Sequence, residues 1–161
     1  MYSEQKRIVM ENYSILLVED NPDDQLLAVR ALKRANKDNQ VIVVEDGQQA
    51  LNFLYGKDRN QPSREIERLG VIILDLKLPK VDGLEVLKKV RSSPATNWLP
   101  VIMVTSSDEP GEVLEAYRLG ANSYINKPVD FREFSKQMSL LAEYWLQVNK
   151  VPHYTKKGRP E

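Results

Sequence analysis

The chain has 161 residues, the length of a single domain or slightly more. Apolar residues make up 42% of the sequence and charged residues 29%, so collagen-like, low-complexity and disordered classes are excluded. The 23 basic residues balance the 23 acidic ones, and this balance argues against a nucleic-acid partner. There is no cysteine, which excludes disulfides, thiolate metal sites and a cysteine nucleophile.

No segment of the sequence indicates export or membrane insertion. Residues 1–12 are polar and charged, and apolar runs such as Val71–Leu74 are far shorter than the roughly 20 residues that span a bilayer. We therefore expect a cytoplasmic protein that does not bind a membrane.

Short apolar runs alternate with helix patterns along the chain. The predicted strands are Ser14–Val18, Gln40–Val44, Val71–Leu74, Val101–Thr105 and Ser123–Asn126. Each run is nearly continuously apolar at its centre, which is typical of parallel strands that helices bury on both faces.

Helix-start signals fill the gaps between the strands. Asn21 followed by Pro22 has the pattern of an N-cap and a first helical residue. Asp82 and Asp130 each precede a glutamate by three residues, which is the spacing of a capping box. Pro110 opens a helix with the apolar set Val113, Ala116, Tyr117 and Gly120. The last helix has a longer apolar stripe, formed by Phe131, Phe134, Met138, Leu141, Trp145 and Val148.

Strand–helix units in this order predict an α/β fold: a doubly wound, five-stranded parallel sheet of the flavodoxin-like order 2-1-3-4-5. We expect one domain over residues 13–150, preceded by an extension at 1–12 and followed by a tail at 151–161. The polar connection 55–69 is longer than the fold needs, and we expect it to run over the surface.

Three carboxylates should meet at the carboxyl ends of neighbouring strands, where such sheets bind ligands. Glu19 and Asp20 end the first strand, and Asp75 ends the third. At an effective dielectric constant near 20, two carboxylates repel by about 4 kcal/mol at 4 Å, so the cluster requires a cation. Hard oxygen ligands in an incomplete cage predict Mg²⁺.

Two further side chains should reach the same pocket. Lys127 follows the fifth strand and supplies a second positive charge, while Thr105 ends the fourth strand and offers a hydroxyl. A carboxylate beside Mg²⁺ and a lysine can attack a phosphoryl group, so we expect Asp75 to become an aspartyl phosphate.

Other features have less specific interpretations. Asp23 and Asp24 are interpreted as first-turn acids that favour the helix dipole, and not as ligands. Glu45 and Asp46 are interpreted as a strand end and a helix cap. Leu140 and Tyr144 form a second apolar set on the last helix, either scattered surface residues or a partner contact. His153, the only histidine, is not expected to be a ligand.

These residues stand in four motifs: Ile15–Asn21, Leu74–Gly83, Val104–Ser106 and Gly120–Pro128. With these motifs in this order and spacing, the chain resembles a response-regulator receiver domain of two-component signalling. The resemblance extends over residues 13–148. One departure is mild: Glu19 stands where many receivers have aspartate.

The resemblance implies a role for each matching residue. Asp75 would be the phosphoacceptor, and Lys127 would pair with the phosphoryl group. The implied Mg²⁺ ligands are the carboxylates of Glu19, Asp20 and Asp75 and the backbone carbonyl of Lys77. Thr105 would be the switch hydroxyl and Tyr124 the aromatic side chain that follows it. The bond between Lys127 and Pro128 would be cis.

A narrower resemblance concerns the partners. The long connection before the third strand, Leu99–Val101 and Tyr144–Leu146 are similar to small stand-alone regulators paired with phytochrome histidine kinases. That group tends to form homodimers, partly through its carboxyl-terminal segment. The implied function is phosphoryl transfer from a sensor histidine kinase followed by signalling through protein contact. Apart from this transfer and slow self-dephosphorylation, no enzymatic activity is expected.

Three other functions remain open. A phosphohydrolase with an aspartyl phosphate intermediate usually has a second acid two residues after the nucleophile, where this chain has Lys77. A flavodoxin needs a phosphate-binding loop after the first strand, where the acidic run Asp20–Asp24 would repel a phosphate. The third alternative is a receiver-like scaffold that is never phosphorylated.

Overall fold

A parallel sheet covered by helices on both faces forms the centre of the molecule. The computed structural model describes residues 13–56 and 62–152. Its strands are β1 (Ser14–Val18), β2 (Gln40–Val44), β3 (Leu69–Leu74), β4 (Val101–Thr105) and β5 (Ser123–Asn126). Its α-helices are α1 (Pro22–Ala35), α2 (Gly47–Tyr55), α3 (Gly83–Ser92), α4 (Pro110–Arg118) and α5 (Phe131–Glu143). All strand pairs are parallel and the order is β2-β1-β3-β4-β5, which confirms the predicted fold class.

Alternation along β1 divides the core into two layers. Ile15 and Leu17 pack in a cluster with α1 and α5, whereas Leu16 and Val18 pack in the cluster that contains residues of α2 and α3. Successive side chains of a strand point to opposite faces, so a strand between two helical layers must be apolar throughout.

The two edge strands are less buried than predicted. β1, β3 and β4 are buried along their whole length, but β2 and β5 are largely half-buried or exposed. They lie at the edges of the sheet, where each has only one neighbouring strand. An apolar run therefore does not distinguish an edge strand from a central one.

The predicted helix starts are confirmed, with one difference in detail. The side chains of Asn21, Asp46 and Asp82 each accept a hydrogen bond from the backbone N–H three residues later. Asp130 caps α5 but accepts from Arg132 N at 2.7 Å instead of from the glutamate that follows it. These caps satisfy N–H groups that have no partner inside the helix.

We predicted that the connection between α2 and β3 runs over the surface, but part of it is helical and buried. The strand begins at Leu69, two residues before the predicted start, and Arg64–Arg68 forms a 3₁₀ turn whose Ile66 is fully buried. Ser63 Oγ donates to the carbonyl of Phe53 at 2.6 Å, which ties the connection to α2. Residues 57–61 lie outside the described part of the chain.

The last helix is interrupted near its end. α5 ends at Glu143 and a π-helical turn, Tyr144–Val148, follows it. Phe134 and Met138 in the predicted stripe are buried, but Phe131 and Val148 at its ends are 60% and 69% exposed.

The apolar set predicted for α4 is also only partly right. Ala116 is buried but Tyr117 is 49% exposed, because α4 packs on the sheet through a narrow face. The helix ends at Arg118, so Gly120 lies beyond it with a φ of 103°.

No helix within the described residues is long and apolar enough to cross a membrane. The predicted extension 1–12, His153 and the rest of the tail to residue 161 lie outside those residues.

Candidate functional site

The acidic residues follow the carboxyl ends of β1 and β3, which are neighbours in the sheet. Val18 is in register with Leu74, so the residues after them lie side by side. Two backbone hydrogen bonds extend the pairing: Asp75 N donates to Val18 O and Glu19 N donates to Val44 O, both at 3.1 Å. The sheet itself therefore sets the positions of Glu19 and Asp75.

Three carboxylates converge at this edge. Glu19, Asp20 and Asp75 each offer one oxygen, and these oxygens lie within 4.8 Å of one another. Glu19 and Asp75 are buried, while Asp20 is exposed to solvent. A set of hard oxygen donors, partly open to solvent, fits a divalent cation that keeps part of its water shell.

Lys127 supplies the positive charge of the site. Its backbone N–H donates to the Thr105 carbonyl at 2.7 Å, which places the loop after β5 beside β4. Its Nζ donates to Glu19 Oε1, to Asp24 Oδ2 at 3.0 Å and to Asp75 Oδ2 at 3.3 Å. The side chain is only 13% exposed, so these interactions are weakly screened.

Burial and charge shift the pKa values of the buried Glu19 and the half-buried Lys127. Burial raises the pKa of Glu19 to about 7, the hydrogen bond from Lys127 opposes this, and the charge of Asp75 adds to it. Burial alone would lower the pKa of Lys127, but the hydrogen bond to Glu19 and the charge of Asp75 outweigh it and raise the pKa. The ammonium therefore stays charged. With Asp20 and Asp24 included, carboxylates outnumber it, which favours an added cation.

The loop after β3 is fixed by a close approach to α3. Lys77 N donates to Asp75 Oδ1 at 3.3 Å, and Gly83 N donates to Leu76 O at 2.9 Å. A Cβ on Gly83 would lie 2.1 Å from the carbonyl oxygen of Asp75, so only glycine allows α3 to begin there. The Nζ of Lys77 points to α4, where it lies 3.1 Å from Glu112 Oε1.

Two predicted switch residues share a neighbour. Thr105 is fully buried, and its Oγ1 accepts a hydrogen bond from Ser107 N at 3.4 Å. The hydroxyl of Tyr124 donates to the carbonyl of Ser107 at 2.7 Å. The loop after β4 thus connects the two side chains.

Two details differ from the sequence interpretation. The described residues contain no cis peptide bond, so the bond between Lys127 and Pro128 is trans and the expectation of a cis bond is wrong. The trans form is the favoured one for X-Pro, by about 0.5–1 kcal/mol. In addition, Asp24 contacts Lys127 inside the site. The short turn between β1 and α1 could have indicated this contact, because it places the first turn of α1 beside the strand ends.

Comparison with known proteins decides the family. Residues 15–139 match the family model of the response regulator receiver domain. The chain belongs to this family, as the motifs of its sequence indicated. Two curated relatives of this receiver are the probable methanogenesis regulatory protein FilR2 of Methanothrix harundinacea and the response regulator Rcp1 of Synechocystis. FilR2 is 35% identical over 87% of this chain and 88% of its own, and Rcp1 is 34% identical over 86% and 92%.

Solved structures agree with this assignment. The phosphorylated cyanobacterial phytochrome response regulator RcpA has a TM-score of 0.79 at 31% identity, covering 88% of this receiver and 99% of its own chain. The Mn²⁺-bound form of Rcp1 has a TM-score of 0.77 at 34% identity, covering 87% and 99%. Members of the family with this fold have thus been seen phosphorylated and with a divalent cation.

Proposed function

We propose that this receiver accepts a phosphoryl group on Asp75 from a sensor histidine kinase and signals through protein contact. One observation carries the proposal: the buried Asp75 carboxylate lies beside the ammonium of Lys127 and close to the carboxylates of Glu19 and Asp20. We propose that residues 13–150 form the receiver domain, with an extension at 1–12 before it and a tail at 151–161 after it.

The proposed reaction is a direct transfer. A carboxylate oxygen of Asp75 forms a bond to phosphorus as the P–N bond of the kinase phosphohistidine breaks. The bonding electron pair leaves on the imidazole nitrogen. Lys127 offsets negative charge on the phosphoryl oxygens, and the sheet and the Gly83 contact hold Asp75 in position.

The proposal includes Mg²⁺. The residues that would hold the cation are Glu19, Asp20 and Asp75, together with the backbone carbonyl of Lys77. When bound, the cation supplies positive charge that offsets the charge of the phosphoryl group. The oxygen donor set and the surplus of carboxylates over ammonium support this choice.

We propose Thr105 and Tyr124 as the switch residues. Thr105 would hydrogen-bond the phosphoryl group, and its shared neighbour Ser107 would transmit the change to Tyr124. The signal is then a shift between two surface states, as for other local electrostatic switches. The only chemistry that we assign is the phosphoryl transfer and slow self-dephosphorylation.

For the upstream kinase we propose a phytochrome, acting in the cytoplasm where ATP is available. Support comes from RcpA, a cyanobacterial phytochrome response regulator. The match to this receiver covers 99% of the RcpA chain. Phosphoryl transfer from a purified phytochrome histidine kinase, measured in red and far-red light, tests this step. Transfer from unrelated kinases alone would contradict it.

We also propose that the receiver forms a homodimer. Leu140 lies near the end of α5, and Tyr144 and Val148 are the first and last residues of the π-helical turn that follows. The three residues are spaced by four positions, and all are at least half exposed. Large apolar side chains that share a face of a helix are typical of a protein contact. A monomer at every concentration in sedimentation equilibrium would contradict the dimer.

The first prediction tests the phosphoacceptor. Incubation with Mg²⁺ and acetyl phosphate should add one phosphoryl group to the full chain, measured by intact mass. Asp75→Asn should abolish the gain, because the amide is not a nucleophile toward phosphorus, and a chelator should abolish it in the unmodified chain.

Two outcomes would contradict the proposal. Phosphorylation that survives Asp75→Asn would show that another residue is the acceptor. No gain in mass, with Mg²⁺ bound and with several donors tried, would favour the unphosphorylated scaffold.

A further inference from the structure

The two acidic residues of the first turn of α1 have different surroundings. Asp23 is exposed. Asp24 is half-buried, and its Oδ2 lies 3.0 Å from the Nζ of Lys127. The helix dipole acts on both residues alike, so it does not explain the contact with Lys127.

Lys127 has as many acceptors as it has N–H donors. An ammonium donates three hydrogen bonds, and the acceptors are Glu19 Oε1, Asp24 Oδ2 and Asp75 Oδ2. Glu19 and Asp75 also belong to the carboxylate cluster that fits a cation, whereas Asp24 does not. A bound cation would therefore compete with Lys127 for two carboxylates, and Asp24 is the acceptor outside that competition.

We propose that Asp24 is a positioning residue for Lys127. It keeps a charge-assisted hydrogen bond to the ammonium when the cation draws on Glu19 and Asp75. Without the charge of Asp24 the ammonium would interact more strongly with those two carboxylates, and a cation would have to compete with it more strongly. This inference rests on the proposed cation site and adds a residue that the sequence assigned only to the helix dipole.

Cation binding to the full chain tests this role, measured by titration calorimetry with MgCl₂ alone. Asp24→Asn should raise the dissociation constant roughly three- to tenfold more than Asp23→Asn does. The two variants remove the same charge from adjacent positions, so long-range electrostatics should be closely matched. The amide at position 24 retains an acceptor oxygen, so folding should be preserved, which circular dichroism checks.

A second pair of variants shows whether Asp24 acts through Lys127. In a Lys127→Met background, the difference between Asp24→Asn and Asp23→Asn should disappear. A difference that persists there would overturn the positioning role and indicate a direct effect on the cation. The inference alone would be overturned if Asp24→Asn and Asp23→Asn had equal dissociation constants for Mg²⁺ with Lys127 present, while the unmodified chain still binds Mg²⁺. Failure of the unmodified chain to bind Mg²⁺ would overturn the cation site and the inference with it.

Discussion

Replacing Lys127 with methionine is expected to slow phosphorylation of Asp75 by acetyl phosphate roughly 100-fold, because a preorganised charged donor to the phosphoryl group is lost. The same change should lower the free energy of unfolding by about 3 kcal/mol without divalent cations, since the buried Glu19 and Asp75 lose their partner. Added Mg²⁺ should restore much of this stability, because it binds only the folded site. Intact mass over time measures the first effect and urea unfolding the second.

Lys136→Met is the matched control for this prediction. Lys136 is exposed on α5, so the control removes the same charge and adds the same side chain away from the site. Lys136→Met should change neither the rate of phosphorylation nor the free energy of unfolding appreciably. A Lys127→Met protein that is phosphorylated at the rate of the control would contradict the role of Lys127.

Replacing Gly83 with alanine should have the second large effect. The new Cβ would lie 2.1 Å from the carbonyl oxygen of Asp75 and 2.9 Å from the Cα of Leu76. Both are backbone atoms, so α3 or the loop after β3 must move. We expect a loss of about 3 kcal/mol or more in the free energy of unfolding, measured with urea. Phosphorylation of the folded fraction should also slow, because Asp75 shifts with its loop.

Gly111→Ala provides the comparison. Gly111 lies in the first turn of α4, and a Cβ there meets no atom within 4 Å. Alanine in a helix is favoured over glycine, so this variant should be unchanged or stabilised by up to about 1 kcal/mol. Equal stability of the two variants would show that α3 does not approach the Asp75 carbonyl as closely as described.

Packing of the loops explains why the site could be only partly anticipated. Glu19, Asp20 and Asp75 were identified because each follows an apolar run, and parallel strands bring their carboxyl ends to one edge. The contact of Asp24 with Lys127 joins residues 103 positions apart in sequence. The short turn after β1 places Asp24 near the strand ends but does not identify its partner, since an acid in the first turn of a helix has the same local signature whether or not a lysine lies opposite. The roles of Thr105 and Tyr124 in switching stay predictions, although both contact Ser107.

The sequence by itself determined the class of fold, the strands and the caps of the helices. These depend on interactions within a few residues, such as the alternation along β1 and the side chain of Asp82 over the start of α3. Only the tertiary structure decided that β2 and β5 are largely half-buried or exposed, that Ile66 in the connection is buried, and that Lys127 binds a carboxylate on α1. Each of these depends on which distant segments pack together, and the physical reason is that burial and charge pairing are properties of the assembled chain.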